Sequence, residues 1–467
     1  MSKDLRSFLK QIESAEPEEF INVRERVSPK FEVTAVLQML ENKDRYPLVM
    51  FHDVLNLSGV GNNKLVSNLT ARRQNLALAL DLPLDKWRGE VTEEVAIREV
   101  RPISPIVIAR SEAPVKEVIE TGDKVDLSKF PVVTHHGMDG GPYITGAAVT
   151  RHPAWGLAPG VHNVSFQRAE YVGPHRTQFY MAPNHTWLIF KAYEDKDLPC
   201  PVAYVVGHHP TFYLAANMRP DVRQSEYDVM GGLMGEPLRL VPSETWGEEL
   251  LVPADAEIVI EGELLPKVRE TEAPFGEWTG YYGPQRLSPV MEIKAITHRR
   301  DPIYFTNFVG HRDHVGYSIG WEATMLKRAR EADPTVRAVY LPSSGCGGYH
   351  VYIQVDKKVE GQQMNAALGA ITHGHPKLVI LVDKDIDIFN EEQVLWAVAT
   401  RVQAGSDVHI LRGVRGSSHD PSLILAGSLE KDVMIIDATL RIGRPFAEPM
   451  RVPVDVVNEV SKRIRIP

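Results

Sequence analysis

Glu257-Ile258-Val259-Ile260-Glu261-Gly262-Glu263 and, shortly after it, Glu272-Ala273-Pro274-Phe275-Gly276-Glu277 are the stretches on which the fold and the chemistry of this chain turn. The first is β-rich and predicts a strand. Runs of the same kind recur at 147–150, 178–181, 203–206 and 291–297, punctuated by Gly, Pro, His and Asn. From about 115 to 305 this texture predicts a compact, loop-rich β structure, a barrel, with one helix over 226–234. In the second stretch two carboxylates flank an apolar, turn-forming Ala-Pro-Phe-Gly, so both can reach one small pocket from either side of a bend. Burial there would raise the pKa of at least one, and a carboxyl group that keeps its proton near neutral pH can act as an acid. The plain alternative is a loop with two solvated acids.

Outward from this centre the texture changes on both sides. Leu5, Phe8, Leu9 and Ile12 fall at helical spacing after a Ser2 cap, and Glu16-Pro17 ends that helix. Helices over 34–40 and 71–80 surround a strand at 48–51, an α/β opening. Beyond Tyr317 come a helix at 321–331, strands at 338–341 and 349–355, a helix at 361–372, a strand at 378–382, a helix at 391–403 and a strand at 408–411. That alternation predicts a second α/β layer. After Pro453, residues 454–463 form a helix with Val456, Val457 and Val460 on one face, a dimer contact or a core stripe. The expected organisation is an α/β (α+β) chain in four parts: 1–114, 115–310, 311–450 and a terminal helix over 451–467.

With 467 residues the chain is long enough for two or three cores. No apolar run reaches bilayer length and the N-terminus lacks a signal-peptide core, so cytoplasm is the default. Cys200 and Cys346 are too far apart for a metal-ligand pair and are expected to be buried free thiols. A net charge of -9 without a basic tract argues against nucleic-acid and membrane partners and leaves a small molecule as the leading class.

Three further segments carry candidate chemistry. In Asn163-Val164-Ser165-Phe166-Gln167-Arg168, strand alternation puts Asn163, Ser165 and Gln167 on one face and Arg168 on the other, unless a bend re-aims it. Arg suits bidentate binding of a carboxylate or phosphate. His185 follows Pro183-Asn184, and Glu226 opens a helix after Gln224-Ser225. An Asn, a His and a Glu from separate segments form a mixed O/N set that fits Mn²⁺ or Mg²⁺. A surface strand and unrelated histidines are the plain alternatives.

Three motifs compete with this site. Asp383-x-Asp385-x-Asp387 resembles the start of an EF-hand, but Ile388 and Val394 stand where that loop needs Gly and Glu, so a strand end feeding a helix capped by Asn390 is expected. Gly59-Val60-Gly61 lacks the third glycine of a dinucleotide fingerprint. Gly316-Tyr317-Ser318-Ile319-Gly320 matches a nucleophile elbow, yet His311-Arg312-Asp313-His314 before it is too polar for the buried strand an elbow needs. The rivals are therefore a serine hydrolase built on Ser318 with partners such as Asp385 and His419, and a non-enzymatic metal-dependent binding protein using Asn163, His185 and Glu226.

Taken in order, Asn163 with Arg168, His185, Ser225-Glu226-Tyr227, Val252-Pro253-Ala254 through Gly262, and Glu272 to Glu277 resemble the UbiD-type decarboxylases. The similarity continues through Val382-Asp383-Lys384-Asp385-Ile386-Asp387-Ile388-Phe389-Asn390 and Ala399-Thr400-Arg401. The resemblance implies reversible, non-oxidative decarboxylation of an aromatic, heteroaromatic or α,β-unsaturated acid through a covalent adduct with prenylated FMN, aided by a divalent metal and potassium. It implies that Asn163, His185 and Glu226 hold Mn²⁺ against the cofactor phosphate. Ser165, Phe166, Gln167, Arg168 and Asn184 would line the cofactor, and Lys377 would approach its phosphate. Arg168, Glu272 and Glu277 would form the catalytic network, and backbone carbonyls in Ala215-Ala216-Asn217-Met218 would take K⁺. It also implies a split-barrel flavin domain between α/β parts, a homodimer or homohexamer, and a flavin prenyltransferase as cofactor supplier. The residues suit that chemistry, because loss of CO₂ from an sp² carbon leaves a carbanion-like centre that an electrophilic cofactor must stabilise. Arg168 would orient the carboxylate and Glu277, between Gly276 and Trp278, would return a proton to the carbon. His311, Arg312 and His314 are the expected substrate-pocket residues and point to a polar or heteroaromatic acid.

Overall fold

The computed structural model describes residues 3–155, 160–218, 220–221, 223–424, 427–450 and 452–464. Its centre is a closed barrel of six antiparallel strands: Tyr143–Arg151, His162–Gly173, Arg176–Phe179, Cys200–Val206, Ile258–Glu272 and Arg286–His298. Ile258–Glu272 pairs with Cys200–Val206 on one edge and with Arg286–His298 on the other, which closes the ring. Every residue of Tyr143–Arg151 and of Cys200–Val206 is buried, which is why these strands read as nearly continuous apolar runs. At the closing seam Glu261 faces Ala295 while Gly262 faces Ile293, so Lys294 is an extra residue on its strand. A Cβ on Gly262 would stand 2.1 Å from the Glu292 carbonyl oxygen, so the bulge needs a glycine there.

The N-terminal part holds a four-stranded sheet in the order Phe20–Val23, Leu48–Val54, Asn63–Ser67, Ile303–Phe305. Its last strand follows the barrel in sequence and lies parallel to Asn63–Ser67, so the chain returns to its first sheet. Helix Leu5–Ala15 buries the four expected apolar residues and is capped by Asp4, whose side chain accepts the Ser7 N–H, while Ser2 lies outside the described residues. Helix Gly89–Glu99, which packs on the later helix Ile319–Ala332, carries only Val91, Val95 and Ala96 as buried apolar residues and opens on a glycine, a pattern too thin to stand out in the sequence.

The C-terminal part is a five-stranded sheet in the order Val336–Tyr340, His350–Val355, Leu378–Asp383, Glu430–Asp437, Val408–Arg415. Helices Ile319–Ala332 and Gln362–Ile371 cover one face through Met325, Leu326, Ala366 and Ala370. Helix Glu391–Arg401 covers the other through Val394 and Ala397, with Asn390 accepting the Gln393 N–H at its start as expected. Asp383 and Asp385 are paired with Arg401, so the acidic triplet is a strand end and not a calcium loop. Strand Glu430–Asp437 was not expected, although it occupies an interior place in the sheet; Lys431, Val433, Ile435 and Asp437 alternate inward. Helix Val454–Arg463 forms where expected but buries none of its residues among those described, so Val456 and Val457 are not a core stripe. Both cysteines are free, Cys200 buried and Cys346 half-buried.

Because Gly262 faces backbone atoms that cannot swing away, Gly262→Ala should destabilise the protein by about 1–3 kcal/mol. Urea unfolding followed by tryptophan fluorescence would read this as a lower midpoint with an unchanged slope.

Candidate active site

A cavity of about 1000 Å³ opens between the barrel and the C-terminal part. Strand His162–Gly173 forms one wall of it. From Arg151↔His162 to Tyr143↔Glu170 this strand pairs with its neighbour in unbroken register, so alternation holds and Arg168 does lie on the face opposite Asn163, Ser165 and Gln167. Both sets nevertheless line the cavity. The reason is the other edge of the strand, where pairing with Arg176–Phe179 begins only at Ala169 and 162–168 stays open. Val164 N–H uses that edge to reach the Glu226 carboxylate at 3.0 Å, and alternation turns the Phe166 amide the same way.

Two helix starts close on this edge. Asn184 caps helix His185–Glu194 by accepting the Trp187 N–H, and Ser225 caps helix Glu226–Met234 by accepting the Tyr227 N–H. Asn163 donates through Nδ2 to the Thr186 hydroxyl at 3.1 Å, and that hydroxyl is 2.7 Å from Ser165 Oγ. Asn163, His185 and Glu226 all line the cavity, and N–H groups at two helix N-termini favour an anion beside them. Glu226 is 3% exposed and has no ion pair among the described residues. Burial pushes its pKa up to about 8 against the pull of the Val164 N–H. A buried carboxylate in that state is a natural partner for a cation. Among the described residues no three His, Cys, Asp or Glu stand together as metal ligands, so a metal here would need oxygen from outside that set, such as the Asn163 amide.

At the other end of the cavity Arg168 joins the two glutamates. Its Nε donates to Glu272 Oε1 at 2.7 Å and its Nη1 to Glu277 Oε1 at 2.7 Å. Burial works against the guanidinium charge, but Glu277 and then Glu272 overcome it, and the pKa of Arg168 is raised. With both carboxylates ionised the trio carries one net negative charge, which one added proton cancels. Tyr180 and Phe275 stack on the guanidinium with ring centroids 4.2 and 4.9 Å from Cζ. Ser288 donates to the free oxygen of Glu272 at 2.9 Å, while the free oxygen of Glu277 faces His419 Nε2 at 3.7 Å.

The bend between the glutamates is held at both ends. Tyr143 Oη donates to the Ala273 carbonyl, Glu170 accepts the Ala273 N–H, and Asp139 accepts the Gly276 N–H. Asp139 also accepts the N–H groups of His135 and His136, so one buried carboxylate ties two loops together. Gly283 leaves room for the Glu277 head: a Cβ there would stand 2.6 Å from Glu277 Oε1.

His314 lines the cavity near Glu277, whereas His311 and Arg312 do not. His311 is bound to Glu41 at 2.6 Å and stacked on Phe308, and Arg312 lies over Tyr46, so both expected substrate contacts belong to the N-terminal packing. Asn307 donates through Nδ2 to Asp313, which turns its carbonyl oxygen towards His314 Nδ1 at 3.2 Å. The proton of His314 is therefore on Nδ1, and Nε2 is left as an acceptor. Burial pushes this imidazole down to about 4, against the field of Glu277, so it is neutral at pH 7.

Two other expectations fail on geometry. Lys377 does not line the cavity; its ammonium is held by Asp420 and Ser422. Ser318 sits between helices Arg312–Gly316 and Ile319–Ala332 and donates to the Val315 carbonyl, while Asp385 binds Arg401 and His419 faces Glu277. No strand-to-helix elbow exists there and the hydrolase triad does not assemble. Tyr180, Ser288 and Asp139 were missed because nothing within a few residues of each marks it, and His419 was considered only as a partner of Ser318.

A closed barrel whose cavity carries an Arg between two glutamates at one end and a buried carboxylate at the other is equipped to bind a small acid and to move a proton. Profiles described as the N-terminal, Rift-related and C-terminal domains of 3-octaprenyl-4-hydroxybenzoate carboxy-lyase match residues 13–93, 107–312 and 317–438, and the chain belongs to this UbiD family of decarboxylases. It is 33% identical to an anhydromevalonate phosphate decarboxylase of Methanosarcina mazei, over 90% of this chain and 92% of that protein. It is 32% identical to a phenolic acid decarboxylase of Sedimentibacter hydroxybenzoicus, over 99% and 97%. Among solved structures, the UbiD-class enzyme HmfF of Pelotomaculum thermopropionicum in complex with FMN superposes with a TM-score of 0.89 at 36% identity, covering 98% of this chain and 99% of that one. An evolved dimeric form of HmfF in complex with prenylated FMN gives 0.84 at 35% identity, covering 97% of each chain.

Burial lowers the pKa of His314 to about 4 and of His135 and His208 to about 3, below the ordinary 6.5. Below about pH 6.5 the unfolded chain takes up protons that these imidazoles refuse in the fold, so stability falls as pH drops from about 6.5 towards 4. Urea midpoints across that window should decline, and His208→Gln, distant from the cavity, should flatten the decline.

Proposed function

We propose that the chain carries out reversible, non-oxidative decarboxylation of an aromatic, heteroaromatic or α,β-unsaturated acid, with Glu277 as the proton donor. The observation that carries this reading is the buried trio in which Arg168 holds Glu272 and Glu277 at 2.7 Å each. Arg168 meets the substrate carboxylate from the cavity wall, and Glu272, fixed by Ser288, keeps the guanidinium in place. Glu277 delivers the proton to the carbon that CO₂ leaves. Prenylated FMN, when bound, would supply the electrophile that takes up the electron pair left on the carbon as CO₂ departs.

The cavity fits such a cofactor in size and lining. The open strand edge at Phe166, with Ser165, Gln167, Arg168 and Asn184 around it, offers hydrogen-bonding groups to a flavin, and the two helix starts favour its phosphate. Asn163, His185 and Glu226 would hold Mn²⁺ beside that phosphate, a role supported by the buried Glu226 carboxylate, which has no ion pair among the described residues. K⁺ would take backbone carbonyls of the 215–218 turn, where Asn217 also accepts the Trp321 indole N–H at 2.9 Å. The reading includes the four-part division given above, a flavin prenyltransferase as supplier, a cytoplasmic setting and a homodimer or homohexamer in which the exposed Val454–Arg463 helix meets another copy.

The neutral His314 narrows the substrate. An acceptor nitrogen in the cavity favours an acid with a hydroxyl or N–H donor, as in the vanillic and 3,4-dihydroxybenzoic acids named for two structural relatives. Pyrrole-2-carboxylic acid should then exceed its isostere 2-furoic acid by at least about tenfold in kcat/KM, the worth of one satisfied hydrogen bond. His314→Phe should erase that preference; a preference for 2-furoic acid in the parent enzyme would reject the assignment.

Two substitutions test the rest. His185→Ala should lower manganese and flavin per chain after gel filtration by roughly 10–100-fold in affinity. Glu277→Gln should retain both but lose turnover by about 10²–10⁴-fold, together with exchange of solvent deuterium into the product. Glu272→Gln should slow both reactions less. Full activity in both glutamate variants would remove the site from consideration.

A further inference from the structure

Conversion of a carboxylate anion to a C–H product and CO₂ takes up one proton per turnover. If Glu277 gives that proton, as proposed above, it must be recharged each cycle. Its carboxyl is 5% exposed and one oxygen is engaged by Arg168. The remaining oxygen faces His419 Nε2 at 3.7 Å, a gap that a small rotation of either side chain closes.

His419 belongs to the 416–420 loop of the C-terminal part, and its side chain is 17% exposed. His419 and Ser417 both line the cavity, so the imidazole faces Glu277 on one side and water that enters the cavity on the other. Its other nitrogen, Nδ1, lies 3.3 Å from the Ser417 hydroxyl, itself only half-buried. His314, the other imidazole near Glu277, has its Nδ1 turned to the fully buried Asn307 and leads nowhere. The loop is fastened to the barrel by Arg286, which donates to the Ser418 carbonyl at 3.2 Å and to the Tyr180 hydroxyl at 2.6 Å. Tyr180 lies between the guanidinium groups of Arg286 and Arg168 and meets the His419 ring edge-on at 5.8 Å.

We propose that His419 is the relay that reprotonates Glu277 from solvent after each turnover, with Arg286 as the residue that positions its loop. A proton enters at Nδ1 from water or through Ser417, the Nε2–H bond breaks, and an O–H bond forms on Glu277 Oε2. The transfer leaves the Nδ1–H tautomer; once product has left, Nε2 takes a proton from water in the open cavity and Nδ1 gives its own up, which restores the Nε2–H form with the ring charged only in passing. The charged and titratable groups around it are Glu277, Arg168, Arg286, Tyr180 and His314. Burial and the two arginines disfavour an imidazolium, and Glu277 opposes them; the net lowering of its pKa suits a group that passes a proton on without storing it.

The test uses enzyme produced with a flavin prenyltransferase and whichever of vanillic, 3,4-dihydroxybenzoic, pyrrole-2-carboxylic and 2-furoic acid turns over fastest. Rapid mixing separates the first turnover, which uses the proton already on Glu277, from those that follow. His419→Asn should keep its flavin, give a first turnover within about twofold of the parent enzyme, and then fall at least about tenfold in steady-state kcat with little change in KM. Added imidazole should restore part of the steady state. Arg286→Met should show the same pattern more weakly and add little to His419→Asn in the double variant. An unchanged steady-state rate, or a first turnover slowed as much as later ones without imidazole rescue, would overturn the relay. Loss of both phases in Glu277→Gln supports the donor on which the relay rests; a normal first turnover in that variant would show that the donor assignment has failed instead.

Discussion

One buried guanidinium organises the site. Arg168 is taken out of water beside two carboxylates, and such a group is tolerated only because each of its bonds is short, charge-assisted and shielded by Tyr180 and Phe275. Removing the guanidinium would leave two carboxylates facing each other uncompensated in a medium that solvates them poorly. The same low polarity makes the trio useful, because a proton or substrate carboxylate entering it interacts more strongly than it would in water.

Holding that arrangement requires parts far apart in the chain. Arg168 comes from a barrel strand, Glu272 from the end of the seam strand, and Glu277 from the turn after a bend that Tyr143, Glu170 and Asp139 brace. Two peptide groups and a glycine within a few residues of each other are thereby pinned by three side chains from earlier segments. The C-terminal part contributes from the opposite side, since Arg286 ties the Ser418 carbonyl to Tyr180, which stacks on Arg168. The cavity thus has one wall on each part, and its chemistry depends on their contact.

Much of this was legible beforehand for local reasons. A run such as 257–263 is β-rich whatever surrounds it, an Ala-Pro-Phe-Gly bend brings its flanking acids near each other through turn chemistry alone, and Asn390 caps its helix with an atom three residues away. The elements that escaped notice lack such local marks. Helix Gly89–Glu99 has a thin apolar stripe completed by another helix, and strand Glu430–Asp437 gains its interior place only through neighbours on both edges. The segment His311-Arg312-Asp313-His314 is the clearest limit. Four polar residues in a row look equally available, yet Glu41 and Tyr46 draw two of them into the N-terminal part and Asn307 aims only His314 at the cavity.

Residue types and short spacings decided on their own that the chain has a β-rich centre between α/β parts, that Glu272 and Glu277 sit on one bend, and that Arg168 alternates away from Asn163. Only closure of the barrel decided that both faces of that strand would serve one cavity, because the edge left unpaired before Ala169 is a property of the ring and of no residue in it. Pairing of Glu277 with His419, the release of Lys377 to Asp420 and the isolation of Ser318 are likewise set by which surfaces meet. Periodicity and turn preference act over a few residues, whereas these contacts join segments more than forty residues apart or depend on packing that such segments create.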